Sequence, residues 1–91
     1  MKPVTDIRGV VDKIVGTLAE ADSNESIDHA ENLFTVGYLD SVGAMQLVEE
    51  LEKSFGTKIP AKDLVPRNFM SIEAMTVYFE RRRKEIETNK P

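Results

Sequence analysis

The chain contains no cysteine and a single histidine, His29. Without a thiol of its own it cannot form a disulfide, a thiolate metal site or a cysteine nucleophile. One histidine leaves little material for a His-based active site or a zinc site. We therefore expect the chain to bind no metal ion.

Long apolar runs are also missing. No stretch approaches the roughly 18 consecutive apolar residues of a membrane helix, so we expect no membrane insertion. The N-terminal segment MKPVTDIRGV lacks the apolar run of about 7–15 residues that a secretory signal needs. With no sign of export, the expected location is the cytoplasm.

The charge balance narrows the classes of partner. The formal net charge is -4, whereas a phosphate backbone attracts a basic surface, so we expect no nucleic-acid binding. A partner with a basic surface fits better. The 91 residues suffice for one core, and we expect one monomeric domain.

Apolar residues at helical spacing predict three long helices and one short one. The first, Val4–Ala21, has its apolar stripe at Val4, Ile7, Val11, Ile14 and Leu18 and could be capped by Thr5 or Asp6. The second runs from Ser41 to Phe55 and ends at Gly56. One short turn over Ala61–Val65, stopped by Pro66, precedes a last helix from Ser71 to about Lys84.

The segment Asp22–Asp40, between the first two helices, shows no helical period. Long connections of this kind in small domains are often functional. Its apolar residues indicate that it packs across the bundle, and Gly37 marks a sharp turn. The predicted fold is therefore an all-α four-helix bundle with a long loop between the first and second helices. We place this domain at residues 1–84 and a polar C-terminal tail at residues 85–91.

The second helix presents two faces. With about 100° per residue, Leu47, Val48, Leu51 and Phe55 fall within about 60° of Ala44 and form the core stripe. Val42 and Met45 lie about 160° and 100° from Ala44, flanked by Glu49 and Glu52. Isolated exposed apolar residues are normal, but an apolar centre with an acidic rim would also dock a basic patch with an apolar centre.

Asp40 and Ser41 open this helix. Both residue types are favoured N-caps, so a purely structural role explains the pair by itself. A catalytic serine would need a base, and nothing in the sequence ties His29, expected to be an exposed loop residue, to Ser41. We therefore expect no enzymatic activity.

The stretch NLFTVGYLDSVGAMQLVEELEKSFGTKIP resembles the signature of acyl and peptidyl carrier proteins. That family has an L-F-x-x-G element in the long loop, a D-S-hydrophobic motif at the start of the second helix, and an acidic helix ending in E-x-x-F-x-x-x-I-P. Here these elements are Leu33-Phe34…Gly37, Asp40-Ser41-Val42 and Glu52…Phe55…Ile59-Pro60. The segment FMSIEAMTVYFERR is similar to the family's last helix.

The resemblance implies that Ser41 is esterified by a 4'-phosphopantetheine arm from coenzyme A, whose thiol holds the cargo as a thioester. Asp40 would take part in recognition by the phosphopantetheinyl transferase. Further implied partners are an adenylating (loading) enzyme or an acyltransferase, and a downstream synthase or transferase. The residues that fall where the family contacts its partners are Val42, Met45, Gln46, Glu49, Glu50 and Glu52.

Details of the motif separate subgroups of the family. The form Gly37-Tyr38-Leu39-Asp40-Ser41-Val42-Gly43 looks closer to D-alanyl and stand-alone aminoacyl carrier proteins than to fatty-acid carriers, many of which read G-x-D-S-L. D-alanine, another amino acid and a small acyl unit all remain open as cargo. Two alternatives also stay open: a carrier-like adaptor that never receives the arm, and an unrelated helical regulator whose Asp-Ser step is only a cap.

Overall fold

A computed structural model of the chain describes residues 4–19 and 27–88. Its helices are α1 (Ile7–Leu18), α2 (Ser41–Phe55), α3 (Pro66–Phe69) and α4 (Ile72–Thr88), with a single 3₁₀ turn at Ala61–Asp63. The residues so described contain no β-strand. The all-α prediction with three long helices and one short one is thus confirmed.

The core lies where α1, α2 and α4 meet. α1 contributes Ile7, Val11 and Val15; α2 contributes Leu47, Leu51 and Phe55; α4 contributes Ile72, Met75, Tyr78 and Phe79. The rings of Phe55 and Phe79 stack with their centroids 4.2 Å apart. Burial of such side chains contributes roughly 1.5–3 kcal/mol each, so this cluster holds the three long helices together. The predicted core stripe of α2 is confirmed at Leu47, Leu51 and Phe55.

The long loop packs only in part. Ile27, Leu33 and Leu39 are buried, and the backbone N–H of Leu33 donates to the carbonyl of Met70 at 2.7 Å. The predicted sharp turn is present, since Gly37 has a φ of 87°. The predicted packing of the loop across the bundle is confirmed at these three buried residues, whereas Phe34 and Val36 remain exposed.

Two helix boundaries differ from the prediction, the start of α1 and the end of α4. α1 starts at Ile7 with Asp6 as its N-cap, and Val15 is buried where the predicted stripe had Ile14, which is only half-buried. The predicted end at Ala21 lies outside the described residues. α4 begins after Ser71, whose Oγ accepts a hydrogen bond from the N–H of Ala74 at 3.0 Å. It continues to Thr88, beyond the predicted helix end at Lys84.

The short helix was predicted on the wrong side of Pro66. Residues Ala61–Asp63 form only the 3₁₀ turn, and α3 starts at Pro66 itself. A proline fits the first position of a helix because the N–H it lacks would have no intrahelical acceptor there. Pro66 was predicted to stop a short helix, but in the structure it starts one.

Two polar contacts fix the connection between α2 and α4. The buried Tyr78 hydroxyl donates to Asp63 Oδ2 at 2.7 Å, and Nη2 of Arg82 donates to the carbonyl of Lys58 at 3.1 Å. Burial and the neighbouring Asp63 carboxylate raise the pKa of Tyr78, so the hydroxyl remains a donor in the ordinary pH range. Arg83, the residue next to Arg82, is half-buried as well, and its Nη1 donates to the carbonyl of Val4 at 3.1 Å.

Candidate functional site: the start of α2 and the adjoining groove

The sequence left open which residue caps α2, and the structure assigns the cap to Asp40. Its Oδ1 accepts a hydrogen bond from the N–H of Gly43 at 2.7 Å. A Cβ at Gly43 would lie only 3.3 Å from that oxygen, so the absence of a side chain there permits the close approach. Because Asp40 supplies the cap, the hydroxyl of Ser41 is not needed for it.

Ser41 is the first residue of α2 and is exposed. Its hydroxyl forms no hydrogen bond with any other residue that the structure describes. The other serines in residues 27–88 differ, because Ser71 is buried with its Oγ engaged at the start of α4 and Ser54 is half-buried. Ser41 is therefore the most exposed serine in residues 4–19 and 27–88.

His29, the single histidine of the chain, contacts α1. It lies in the loop, as predicted, but is half-buried, whereas an exposed residue was expected. Its Nδ1 accepts a hydrogen bond from Nη1 of Arg8 at 3.1 Å, and its Nε2 lies 3.5 Å from Oδ1 of Asp12. Both ring nitrogens thus face α1. Within the described residues, no cluster of His, Asp or Glu could hold a metal ion.

The outer face of α2 is apolar close to Ser41. Val42 is 65% exposed and Met45 70% exposed, and Gln46 and Glu49 are exposed as well. Met45 follows Ser41 by four residues and so lies one turn further along the same side of the helix. The prediction that Val42, Met45 and Glu49 face solvent is confirmed.

Two of the predicted contact carboxylates are placed differently. Glu52 is half-buried, and its Oε2 accepts a hydrogen bond from the N–H of Ile59 at 2.8 Å. Its expected exposure is therefore wrong, because it stabilises the chain just after α2. Glu50 is half-buried too and lies 3.7 Å from Nζ of Lys53.

An apolar groove of about 470 Å³ runs along α2 and includes Ala44 and Met45, which follow Ser41 by three and four residues. One side is formed by α2, and the other by the loop residue Phe34 and the segment that joins the 3₁₀ turn to α3. Its lining residues are Phe34, Ala44, Met45, Leu47, Val48, Glu49, Leu64, Val65, Pro66 and Phe69. Sequence reasoning missed the contribution of Phe34 and of residues 64–66, because these residues follow no helical period. Their sequence signals were an apolar character in segments read as connections and, for Phe34, its place in the L-F-x-x-G element.

A second groove, between α1 and α2, contains two further predicted contact residues. Gln46 and Glu50 line it together with Lys13 and Ile14 of α1. The set predicted to contact partners therefore spans two sides of α2, with Met45 toward the apolar groove and Gln46 and Glu50 toward α1.

Residues 8–77 match the protein-family model described as "Phosphopantetheine attachment site". The chain belongs to this family. It carries 4'-phosphopantetheine as a covalent group and acts as a carrier protein for acyl or aminoacyl groups. The described residues fit such a group, since they offer an accessible serine hydroxyl at a helix N-terminus, where unpaired N–H groups and the helix dipole favour an anion.

Individual relatives point to one branch of the family. The chain is 38% identical over 58 residues to a protein named D-alanyl carrier protein from Streptococcus mutans, covering 64% of this chain and 71% of that protein. A D-alanyl carrier protein from Streptococcus sanguinis is 36% identical over the same shares. Family membership implies partner enzymes such as transferases and loading enzymes. None of the helices within the described residues is long and apolar enough to cross a membrane.

Proposed function

We propose that the phosphopantetheine arm is attached to Ser41 and that Asp40 helps the transferase to recognise the site. The proposal rests on one observation, which is that Asp40 and Ser41 have different roles at the start of α2. Asp40 caps the helix, which leaves the hydroxyl of Ser41 exposed and without a bond to another described residue. The arm would supply the thiol that the chain itself lacks.

The proposed cargo is an amino acid, with D-alanine as the first candidate. Support comes from the names of the Streptococcus relatives and from the residues around Ser41 that resemble the aminoacyl branch. The chain itself performs no chemistry in this proposal. It holds the cargo on a tether and thereby raises the effective concentration at each enzyme that docks. We expect it to act as a monomer in the cytoplasm.

The test of attachment is the intact mass after incubation with coenzyme A, magnesium and a broad-specificity phosphopantetheinyl transferase. Wild type should gain one phosphopantetheinyl group, and Ser41→Ala should gain none. Ser54→Ala, in the same helix, serves as the matched control and should be modified like wild type. Wild-type protein that stays unmodified with several transferases would contradict the proposal and favour a carrier-like adaptor that never receives the arm.

The cargo is tested on the modified protein. With a D-alanine-adenylating enzyme, ATP and radiolabelled D-alanine, the label should join the wild-type protein and be released by hydroxylamine, as expected for a thioester. Ser41→Ala should acquire no label. Loading with another amino acid but not with D-alanine would correct the cargo while leaving the attachment at Ser41 intact.

A further inference from the structure

Residues 60–68, here called the strap, lie on the surface in the connection between α2 and α4. They comprise the 3₁₀ turn and the first three residues of α3. None of the nine residues is buried, since each is either exposed or half-buried. The residues at the two ends differ, because Ile59 and Phe69 are buried in the core. The strap is therefore a surface segment held between two anchored ends.

A single hydrogen bond joins the strap to another helix of the bundle. The Tyr78 hydroxyl on α4 donates to Oδ2 of Asp63 at 2.7 Å. The other hydrogen bonds of residues 60–68 stay within the strap or reach its immediate neighbour Met70. Among the described residues, no ion pair involves the strap. Without the bond to Tyr78, only the packing of half-buried side chains would hold the strap against the bundle.

The two partners in this bond are held very differently. Tyr78 is only 1% exposed, and its ring centroid lies 5.4 Å from that of Phe69 and 5.1 Å from that of Phe79. Asp63 is half-buried and belongs to the surface segment. Separation of the two groups therefore requires movement of Asp63 and leaves Tyr78 in place.

Hydrogen bonds within the strap make it one unit. Nδ2 of Asn68 donates to the carbonyl of Asp63 at 2.9 Å, and the N–H of Asn68 donates to the carbonyl of Val65 at 3.0 Å. The N–H of Leu64 donates to the carbonyl of Ala61 at 3.1 Å. These bonds join the 3₁₀ turn to α3 without using any other element, so they can persist when the strap moves.

We propose that the strap opens and closes as one body about its two anchored ends, and that the hydrogen bond between Tyr78 and Asp63 is the latch that holds it closed. Segments with few buried contacts open at a lower free energy than the core. Leu64, Val65 and Pro66 belong to the strap and form one side of the apolar groove, so opening removes that side. The inference concerns the bare chain and does not depend on the arm or on its cargo.

Native-state hydrogen exchange, measured by NMR on the unmodified full chain, tests whether the strap opens. The reporters are the N–H groups of Leu64 and Asn68, which are bonded only within the strap. In wild type they should share one opening free energy that hardly changes in low urea, because local opening exposes little surface. The N–H groups of Val11 and Val15 in α1 should exchange more slowly and accelerate with urea. Exchange of the reporters only together with α1 would overturn the proposal.

Single substitutions test the latch. Tyr78→Phe keeps the ring and removes the hydroxyl, so it should raise both reporter rates about five- to twentyfold, as the loss of a hydrogen bond to a charged group predicts. Asp63→Ala should do the same without a change in the core, whereas Asp63→Asn, which keeps an acceptor oxygen, should lie closer to wild type. Tyr38→Phe is the matched control, because the hydroxyl of this other tyrosine bonds to no described residue. It should leave both rates unchanged.

The double variant of Tyr78→Phe and Asp63→Ala tests the bond itself. Because each substitution breaks the same bond, the double variant should exchange no faster than the faster of the two single variants. A rate increase equal to the product of the two single effects would show that the side chains act separately, which would overturn the latch. Wild-type reporter rates in both Tyr78→Phe and Asp63→Ala would overturn it as well.

Discussion

Two helices of this molecule begin in the same way and do different things. α1 follows Asp6 and α2 follows Asp40, and each aspartate accepts a hydrogen bond from the N–H of the glycine three residues later, Gly9 or Gly43. In α1 the close approach is even tighter, since a Cβ on Gly9 would overlap the Asp6 carboxylate. The capping device is therefore shared, and by itself it indicates no function.

The difference lies in the residues that follow the cap. Ile7 is buried, and Arg8 pairs with Glu73 of α4 at 2.7 Å, which fastens the start of α1 to the bundle. At the same positions in α2, Ser41 and Val42 are exposed. An Asp-x-x-Gly start thus becomes a candidate attachment site only where the tertiary fold leaves the next residue in solvent. The comparison explains why the Asp-Ser pair alone was weak evidence.

The largest expected effect is a difference in stability between substitutions at the first residue of α1, Ile7, and the first residue of α2, Ser41. Ile7→Ser should lower the free energy of unfolding by about 2–4 kcal/mol, because it removes a buried side chain from the core. Ser41→Ala should change it by less than about 0.5 kcal/mol, as exposed substitutions usually do. Urea denaturation followed by circular dichroism measures both. Similar losses for the two variants would show that the start of α2 is packed like that of α1.

Removing the caps should reveal what the two starts have in common. Asp6→Ala and Asp40→Ala should each cost about 1 kcal/mol of unfolding free energy, the usual value of an N-cap hydrogen bond. Asp6→Asn and Asp40→Asn should retain most of that stability, since asparagine caps equally well. The same urea titrations give all four values, and a cost at only one of the two helices would break the comparison.

The rate of phosphopantetheine transfer should then distinguish Asp40 from Asp6. The Asn variants remove a charge and keep the cap, so Asp40→Asn should slow phosphopantetheine transfer if the transferase reads the carboxylate itself. Asp6→Asn should be modified at the wild-type rate. Initial rates with limiting transferase measure this effect. A wild-type rate for Asp40→Asn, together with a slow Asp40→Ala, would mean that Asp40 acts only by capping.

The smallest expected effect concerns the ion pair between Arg8 and Glu73, which joins the start of α1 to α4. The hydrogen bond from Arg8 lowers the pKa of Glu73, so the ionised carboxylate stabilises the fold. That contribution is present above the ordinary glutamate pKa of about 4.3 and is lost as the pH falls through the lower pKa of the folded state. The Tm difference between wild type and Glu73→Gln should therefore shrink between about pH 5 and pH 3. A difference that grows on acidification would contradict this assignment.

The sequence predicted the parts of the fold that depend on local periodicity. The inner face of α2 is the best case, because Leu47, Leu51 and Phe55 recur at helical spacing and are all buried. Exposure of Val42 and Met45 followed from the same wheel. The motif around Ser41 indicated the family before any contact was known.

The misassigned residues depend on contacts across the chain. Glu52 lies near the outer face by its helical angle, yet the N–H of Ile59 draws its carboxylate inward. No sequence pattern around His29 predicts its contacts with Arg8 and Asp12 on α1. The groove needed Phe34 and residues 64–66, which only the tertiary fold brings beside α2. The local pattern therefore predicted α2 and Ser41 at its start. The surface around them depends on long-range contacts, which the sequence did not predict.

The most direct test of the central claim is to locate the phosphopantetheine on the wild-type protein without any substitution. After modification and proteolysis, tandem mass spectrometry should release the pantetheine fragment from one peptide, which contains Ser41, and assign the phosphate to that residue. Modification at Ser54, at Ser71 or at a serine of residues 20–26 would contradict the claim that the exposed first residue of α2 carries the arm.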